Sequence, residues 1–471
     1  MSWLGYSRSL LHLFINCMAW TVFFFSACCN SVLDVEAEEQ GALAKISQDE
    51  SSSSLESSSS KAKSSSSVAK SSSSLQLEYP ESFKPNDNEF PYAGIPRIVI
   101  ETEYRKAIED RETEIPAKMQ VWDDSSVVSE IMDMTIRGRG NSSWWNMPKK
   151  SYKIEFEKKQ SMLGMPKDKD WALIANYADK TLMKNYLMYN LSANLGAYYS
   201  PRCEFAELFL NGEYLGVYLL TETIKIAKNR INIPQNEDSY LVEVDGKYKD
   251  GEQVVFSNII PKAYNKNSFR IHEPKNASEE TLLKLENYIQ TFELFLKKID
   301  SKNTNGIEQW IDIYDYIRHY WVQEFSKNPD AVFSTSVYFI WEVGDVIKMG
   351  PVWDFDISFG GHNDSTYIYP ENWYVKDVCW NAYLFKDSTL NRANMDFWIE
   401  NKQIFANTLN EIDSMYNYLK KAAKNNFKKW NILQSTNLAY FHYKYSSYKE
   451  AVDDLKKWID KRMQWIDSQI E

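Results

Sequence analysis

Cysteine and histidine are scarce in this chain, with five of each among 471 residues. No two histidines stand at ligand spacing and no Cys-x-x-Cys occurs, so the sequence indicates neither a zinc site nor a disulfide scaffold. A single bridge between Cys203 and Cys379 stays open. A Ser-His-Asp set suited to nucleophilic hydrolysis is missing as well. Basic charge is not in excess: the net charge is -11, with no basic blocks, and a phosphate backbone demands a basic face. Nucleic acid is therefore set aside as a partner.

What is present begins with Arg8, an apolar stretch from Leu10 to Phe25, and Ser26-Ala27-Cys28. A short charged start, an apolar run too short for a membrane span and small residues before a cut site describe a secretory signal peptide over residues 1–27. Phe25-Ser26-Ala27-Cys28 resembles the lipobox of bacterial lipoproteins, which implies that Cys28 becomes the lipidated first residue. Ordinary cleavage and an uncut anchor are the alternatives. Serine blocks follow at Ser51–Ser54, Ser57–Ser60, Ser64–Ser67 and Ser71–Ser74. With so few apolar residues, residues 28–90 cannot offset their chain entropy and read as a disordered serine-rich linker. The expected location is outside the cytoplasm, as a membrane-anchored lipoprotein, periplasmic or on the cell surface.

Residues 91–471 are rich in aromatics and long enough for a large core. Met132, Met134 and Ile136 alternate with polar residues, as do Tyr152, Ile154 and Phe156, which is the period of strands. Between them lies the donor-rich connection Arg137-Gly138-Arg139-Gly140-Asn141-Ser142-Ser143. Asn211-Gly212, set between two apolar runs, predicts a tight hairpin. Asp179-Lys180-Thr181 opens a helical pattern, and Leu282 to Ile299, then Ile307 to Trp321, recur every three or four residues. Helical spacing returns in the last hundred residues. The order is a strand-rich first part followed by a helix-rich second part, an α+β chain.

Two acidic elements stand out in the second part. Asn328-Pro329-Asp330 follows the helix that Pro329 must terminate, and Trp353-Asp354-Phe355-Asp356 follows a short strand pattern. Phosphoryl transfer asks the protein for a carboxylate that holds a divalent cation on the phosphates and another that orients the attacking hydroxyl. Two acidic elements can supply both. Capping of a turn beside buried aromatics is the structural alternative for the tetrad.

In these residues the chain resembles the spore coat protein H (CotH) kinase family. The matches run in order: Arg137-Gly138-Arg139-Gly140-Asn141-Ser142-Ser143-Trp144, Pro148-Lys149-Lys150, Trp171-Ala172-Leu173, Asn176-Tyr177 with Asp179 and Thr181, and Asn185-Tyr186-Leu187. Glu207 to Tyr218 with Glu222, then Asp330, then Gly350 to Asp356 complete the set. The resemblance implies a divergent protein-kinase-like fold of two lobes, and transfer of phosphate from ATP, with Mg²⁺ or Mn²⁺, to Ser or Thr of an exported or surface protein. It implies metal binding by Asp354 and Asp356, a catalytic or metal-binding Asp330, and a phosphate-steadying lysine, Lys150 ahead of Lys149 and Lys153. Arg137 and Arg139 are expected on the phosphates, and Glu222 beside the nucleotide. The serine blocks are candidate autophosphorylation substrates. The family's Asn after the catalytic Asp is replaced by Ser334-Thr335-Ser336, and a hydroxyl is a weaker oxygen ligand than an amide carbonyl. A nucleotide-binding pseudokinase and a structural or carbohydrate-associated surface module are the competing readings.

Overall fold

Strands with both faces buried read as continuous apolar runs, and the two flanking Asn211-Gly212 do so for that reason. Ala206, Leu208, Tyr218 and Leu220 face one core, while Phe205, Val217 and Leu219 face another on the opposite side of the same strands. The computed structural model describes residues 79, 83–246, 248–259, 268–299, 306–362, 365–437 and 443–470. The expected signal peptide, Cys28 and the serine blocks lie outside them.

The first sheet comprises β1 (Arg97–Thr102), β2 (Ile115–Asp123), a two-residue β3 (Ser126–Val127), β4 (Met132–Arg139), β5 (Ser151–Gln160), β6 (Asp168–Ile174), β7 (Cys203–Leu210) and β8 (Glu213–Glu222). Its order is β1-β7-β8-β6-β5-β4-β2, and β2 returns to pair with β1, so seven strands close into a barrel with β3 attached to β2. Strand β1 uses both edges: it runs antiparallel to β2, with Ile98 opposite Val121, and parallel to β7, with Ile98 opposite Leu208. Alternating residues, including Ile98, Ile136, Ile154 and Phe156, fill the barrel.

A second, antiparallel sheet follows, built from β9 (Ser239–Val244), β10 (Val254–Phe256), β11 (Ser268–Glu273), β12 (Val337–Glu342) and β13 (Lys348–Met349), in the order β10-β11-β9-β12-β13. The helices are α1 (Ser142–Asn146), α2 (Lys184–Asn194), α3 (Glu279–Leu296), α4 (Ile313–Ser326), α5 (Ser365–Ile368), α6 (Asn381–Leu384), α7 (Ser388–Lys429) and α8 (Tyr448–Ile470). Among the described residues no helix is long and apolar enough to cross a membrane.

The expected divergent protein-kinase-like two-lobed fold is therefore overturned. In the first sheet seven strands close into a barrel, with the two-residue β3 left at its margin, and the helices share their part of the chain with a five-stranded sheet. The physical reason is that residue alternation reports which face of a strand is buried, while closure depends on which edges pair. Cys203 and Cys379 are both buried as free thiols, so they form no bridge with each other.

Helix α7 docks on the barrel wall at Gly216, whose φ is +102°. A Cβ there would meet Asn426 Oδ1 at 2.5 Å. The bare backbone lets Asn426 Oδ1 accept from Val217 N at 3.1 Å and from Lys149 Nζ at 3.0 Å. In the helical part, Arg462 and Glu324 form a fully buried ion pair at 2.6 Å. Glu324 also accepts from the backbone N–H groups of Tyr374, Val375 and Lys376, so its lone pairs are satisfied as burial requires.

Candidate functional site

Between one end of the barrel and the five-stranded sheet lies a cleft of about 990 Å³, near the top of the range of roughly 300–1,000 Å³ for small-molecule sites. Arg137, Arg139, Asp330, Asp354 and Asp356 all line it. Lys150 and Glu222 do not.

The acidic tetrad reaches the cleft because the chain crosses β12 at Gly350. A Cβ at Gly350 would stand 2.6 Å from Tyr338 Cβ and 2.8 Å from its carbonyl carbon, so a side chain is excluded. Trp353 then stacks on Tyr189 at 5.6 Å, and the Arg139 guanidinium lies over the Trp353 ring at 4.7 Å. Asp354 takes a left-handed φ of +65°, a conformation that costs a non-glycine residue about 1–2 kcal/mol. What holds it is the next peptide: Phe355 N donates to Asn185 Oδ1 at 2.7 Å. Asn185 Nδ2 donates in turn to Asn176 Oδ1 at 3.0 Å, and Asn176 Nδ2 to the carbonyl of Leu182 at 2.9 Å. Lys184, on the same turn of α2, donates to the carbonyls of Asp356 at 3.2 Å and Ser358 at 2.7 Å.

Asp330 arrives by a different route. Helix α4 ends at Ser326, and Pro329 opens a single 3₁₀ turn, Pro329–Ala331, in which the Asp330 N–H donates to Asn328 Oδ1 at 3.2 Å. Ser334, Thr335 and Ser336 also face the cleft. Burial, followed by the charges of Asp354 and Asp330, pushes the Asp356 carboxyl well above the usual carboxylate range, with Lys184 opposing.

Among the described residues no three His, Cys, Asp or Glu side chains form a ready-made metal cage. Mg²⁺ serving a nucleotide is held by one or two carboxylates plus substrate phosphates rather than by an all-protein cage. Mutually repelling aspartates beside arginines fit that use, since a divalent cation would offset both the burial and the repulsion that raise Asp356.

Of the other expected residues, Lys150 donates to the Trp144 carbonyl and lies outside the cleft lining. Lys149 does line it, but its ammonium donates to Ala175 O at 2.8 Å, Val217 O at 2.5 Å and Asn426 Oδ1 at 3.0 Å, and burial pushes its pKa well down. It acts as a pin between barrel and helix. Lys153 pairs with Glu155 and Asp170 on the face of β5. Glu222 is wholly buried against Arg230 at 2.5 Å and Arg202 at 2.7 Å, and it accepts from Tyr199 Oη at 2.9 Å.

The sheet contributes a wall that sequence reasoning missed. His272 Nε2 and Glu243 Oε2 are 2.7 Å apart, and Arg270 pairs with Glu252 at 2.6 Å and with Asp245 at 3.4 Å. Burial favours a raised pKa for Glu243, but His272, Tyr338 and Arg270 hold it below the usual range. The signal was the alternation of Phe269 and Ile271 with Arg270 and His272.

Residues 136–466 match the family model described as CotH kinase protein. The chain belongs to the CotH kinase protein family. The CotH match starts within β4, so it takes in the arginines and aspartates of the cleft while β1 to β3 precede it. The chain is also 27% identical over 254 residues to the inner spore coat protein H of Bacillus subtilis (strain 168). That match covers 52% of this chain and 65% of the relative, somewhat under two thirds of its length.

Proposed function

We propose that this CotH-family chain is an atypical protein kinase that transfers the γ-phosphate of ATP to Ser or Thr of an exported or surface protein. The observation that carries the reading is the convergence of Arg137 and Arg139 with Asp330, Asp354 and Asp356 on one cleft. Arg137 and Arg139 offer planar donor sets suited to phosphate oxygens. Asp354 and Asp356 are the carboxylates for a divalent cation, and Asp330 orients the acceptor hydroxyl and takes its proton. Bound Mg²⁺ or Mn²⁺ would neutralise charge on the transferring phosphate. The family name and the name of the spore coat relative support both the activity and a location outside the cytoplasm. A lipid on Cys28 would anchor the chain to a membrane there, and the serine blocks are acceptors within its own sequence.

The test is transfer of γ-labelled phosphate by the full chain with Mg²⁺ or Mn²⁺, beside Asp354→Ala and Asp330→Ala. Each variant is expected to lose about a hundredfold or more in rate. Intact mass of the same reaction reads whether the serine blocks take phosphate. Equal labelling by wild type and both variants overturns the assignment.

A second reading, a nucleotide-binding pseudokinase, is favoured by one observation: Ser334, Thr335 and Ser336 stand in the cleft where the family pattern leads one to expect an amide ligand. It predicts a thermal shift with ATP and metal that Asp354→Ala removes, and no transfer of label.

A further inference from the structure

Behind the Asp354–Asp356 segment lies a second cavity, of about 270 Å³, close to the lower end of the range for small-molecule sites, roughly 300 Å³. It shares no lining residue with the cleft. The two are separated by Lys184, which lines the cavity while its ammonium bonds the carbonyl of Asp356 on the cleft side. Helix α2, the Phe359-Gly360-Gly361 turn and helix α8 enclose it.

The lining has two characters. Four lysines, Lys180, Lys184, Lys457 and Lys461, face two aspartates, Asp179 and Asp454, which leaves positive charge in surplus. Both aspartates already accept hydrogen bonds from neighbours: Asp179 from Thr181 and Lys184 N, and Asp454 from Tyr445 Oη. Lys180 donates to the carbonyls of Leu433, Ser435 and Tyr443 and is a fixed part of the wall. Lys457 and Lys461, one turn apart on exposed positions of α8, make no ion pair among the described residues, although Glu450 feels the charge of Lys457. Aromatic rings, Tyr369, Tyr443, Tyr445 and Trp458, share the rest of the wall with aliphatic residues such as Ile368, Pro370 and Leu455. Trp458 is locked in place by its Nε1–H bond to the Ile368 carbonyl at 2.8 Å.

Exposed ammonium groups beside flat rings, the Trp458 ring buried and those of Tyr369 and Tyr443 open to solvent, are the complement of a small planar anion. We propose that this cavity is a second ligand site, taking an aryl phosphate or aryl carboxylate with its charged end toward Lys457 and Lys461. The inference is independent of the chemistry in the cleft, because it is read by binding alone.

The experiment is calorimetric titration of the full chain with phenyl phosphate, benzoate, inorganic phosphate and neutral benzyl alcohol. Wild type is expected to bind at least one aryl anion saturably and to bind neither benzyl alcohol nor inorganic phosphate comparably. Which aryl anion binds tells phosphate from carboxylate. In a Lys457→Glu/Lys461→Glu variant, affinity should fall about tenfold or more, a tenfold loss being about 1.4 kcal/mol. In Asp354→Ala it should be unchanged. The proposal is overturned if no aryl anion binds wild type, if inorganic phosphate or benzyl alcohol binds as tightly, if the double variant binds equally well, or if Asp354→Ala abolishes binding. Circular dichroism of the double variant excludes a folding defect, and both changes are at exposed positions.

Discussion

Replacing Asn185 by Leu tests how the acidic segment is held. The side chains are similar in volume, but Leu removes the acceptor for Phe355 N and the donor to Asn176, both in buried surroundings. An orphaned buried N–H costs about 1–3 kcal/mol, and the lost amide bond about 0.5–1.5 kcal/mol more. The expected destabilisation is therefore about 2–4 kcal/mol, against a total stability of about 5–15 kcal/mol for a folded domain. The chain stays folded, but Asp354 is released from its left-handed φ of +65°. Urea denaturation followed by tryptophan fluorescence gives the first readout, and the thermal shift on adding ATP with Mn²⁺ gives the second. Asn190→Leu is the control, because that residue lies on the same helix, is only half-buried and bonds Glu411 at 2.8 Å. It should cost under about 1 kcal/mol. An Asn185→Leu midpoint no lower than that of Asn190→Leu, with the nucleotide shift intact, would refute the clamp.

Two further outcomes follow from buried groups in the helical part. Glu324→Gln leaves the Arg462 guanidinium without its counter-charge and should cost about 3–5 kcal/mol in urea unfolding; a loss below about 1 kcal/mol would show that the pair is not structural. His319 is held at a pKa of about 3, first by burial and then by the charge of Arg318, against an ordinary value of 6.5. Between those values the unfolded chain binds a proton that the folded chain does not, so stability falls on acidification by about 1.4 kcal/mol per pH unit and levels off below the folded value. His319→Gln should flatten the fall in urea midpoint between pH 6.5 and pH 4.5, and equal slopes in the two proteins would sink the assignment.

Local elements were legible where one face or one turn dictates the residue choice. Met132, Met134 and Ile136 do face the barrel interior, and Asn211 and Gly212 take the positive φ angles, 52° and 80°, that the turn requires. Asp330, Asp354, Asp356, Arg137 and Arg139 were legible as candidates through the family resemblance, which rests on the run of matching residues around them. Closure of the barrel was hidden, since it rests on backbone pairing between β1 and β7, which leaves no mark on side-chain periodicity. The role of Asn185 was equally hidden: its bond is to the main chain of a residue 170 positions away. Lys149 and Lys150 are indistinguishable by type and differ only in which way the chain turns into β5.

Because β1 pairs on one side with β2 and on the other with β7, the order of synthesis has a cost. One edge of the run Arg97-Ile98-Val99-Ile100-Glu101-Thr102 waits until Glu207–Leu210 has been made. At roughly 5–20 residues per second this leaves an apolar strand edge exposed for about 5–20 s, a window in which a chaperone or another nascent chain can capture it. Lys149 waits longer, since its partner Asn426 is 277 residues downstream. That wall of the cleft is thus completed only when α7 has been made, and a chain halted before the long helix leaves a barrel whose buried ammonium is still missing one acceptor.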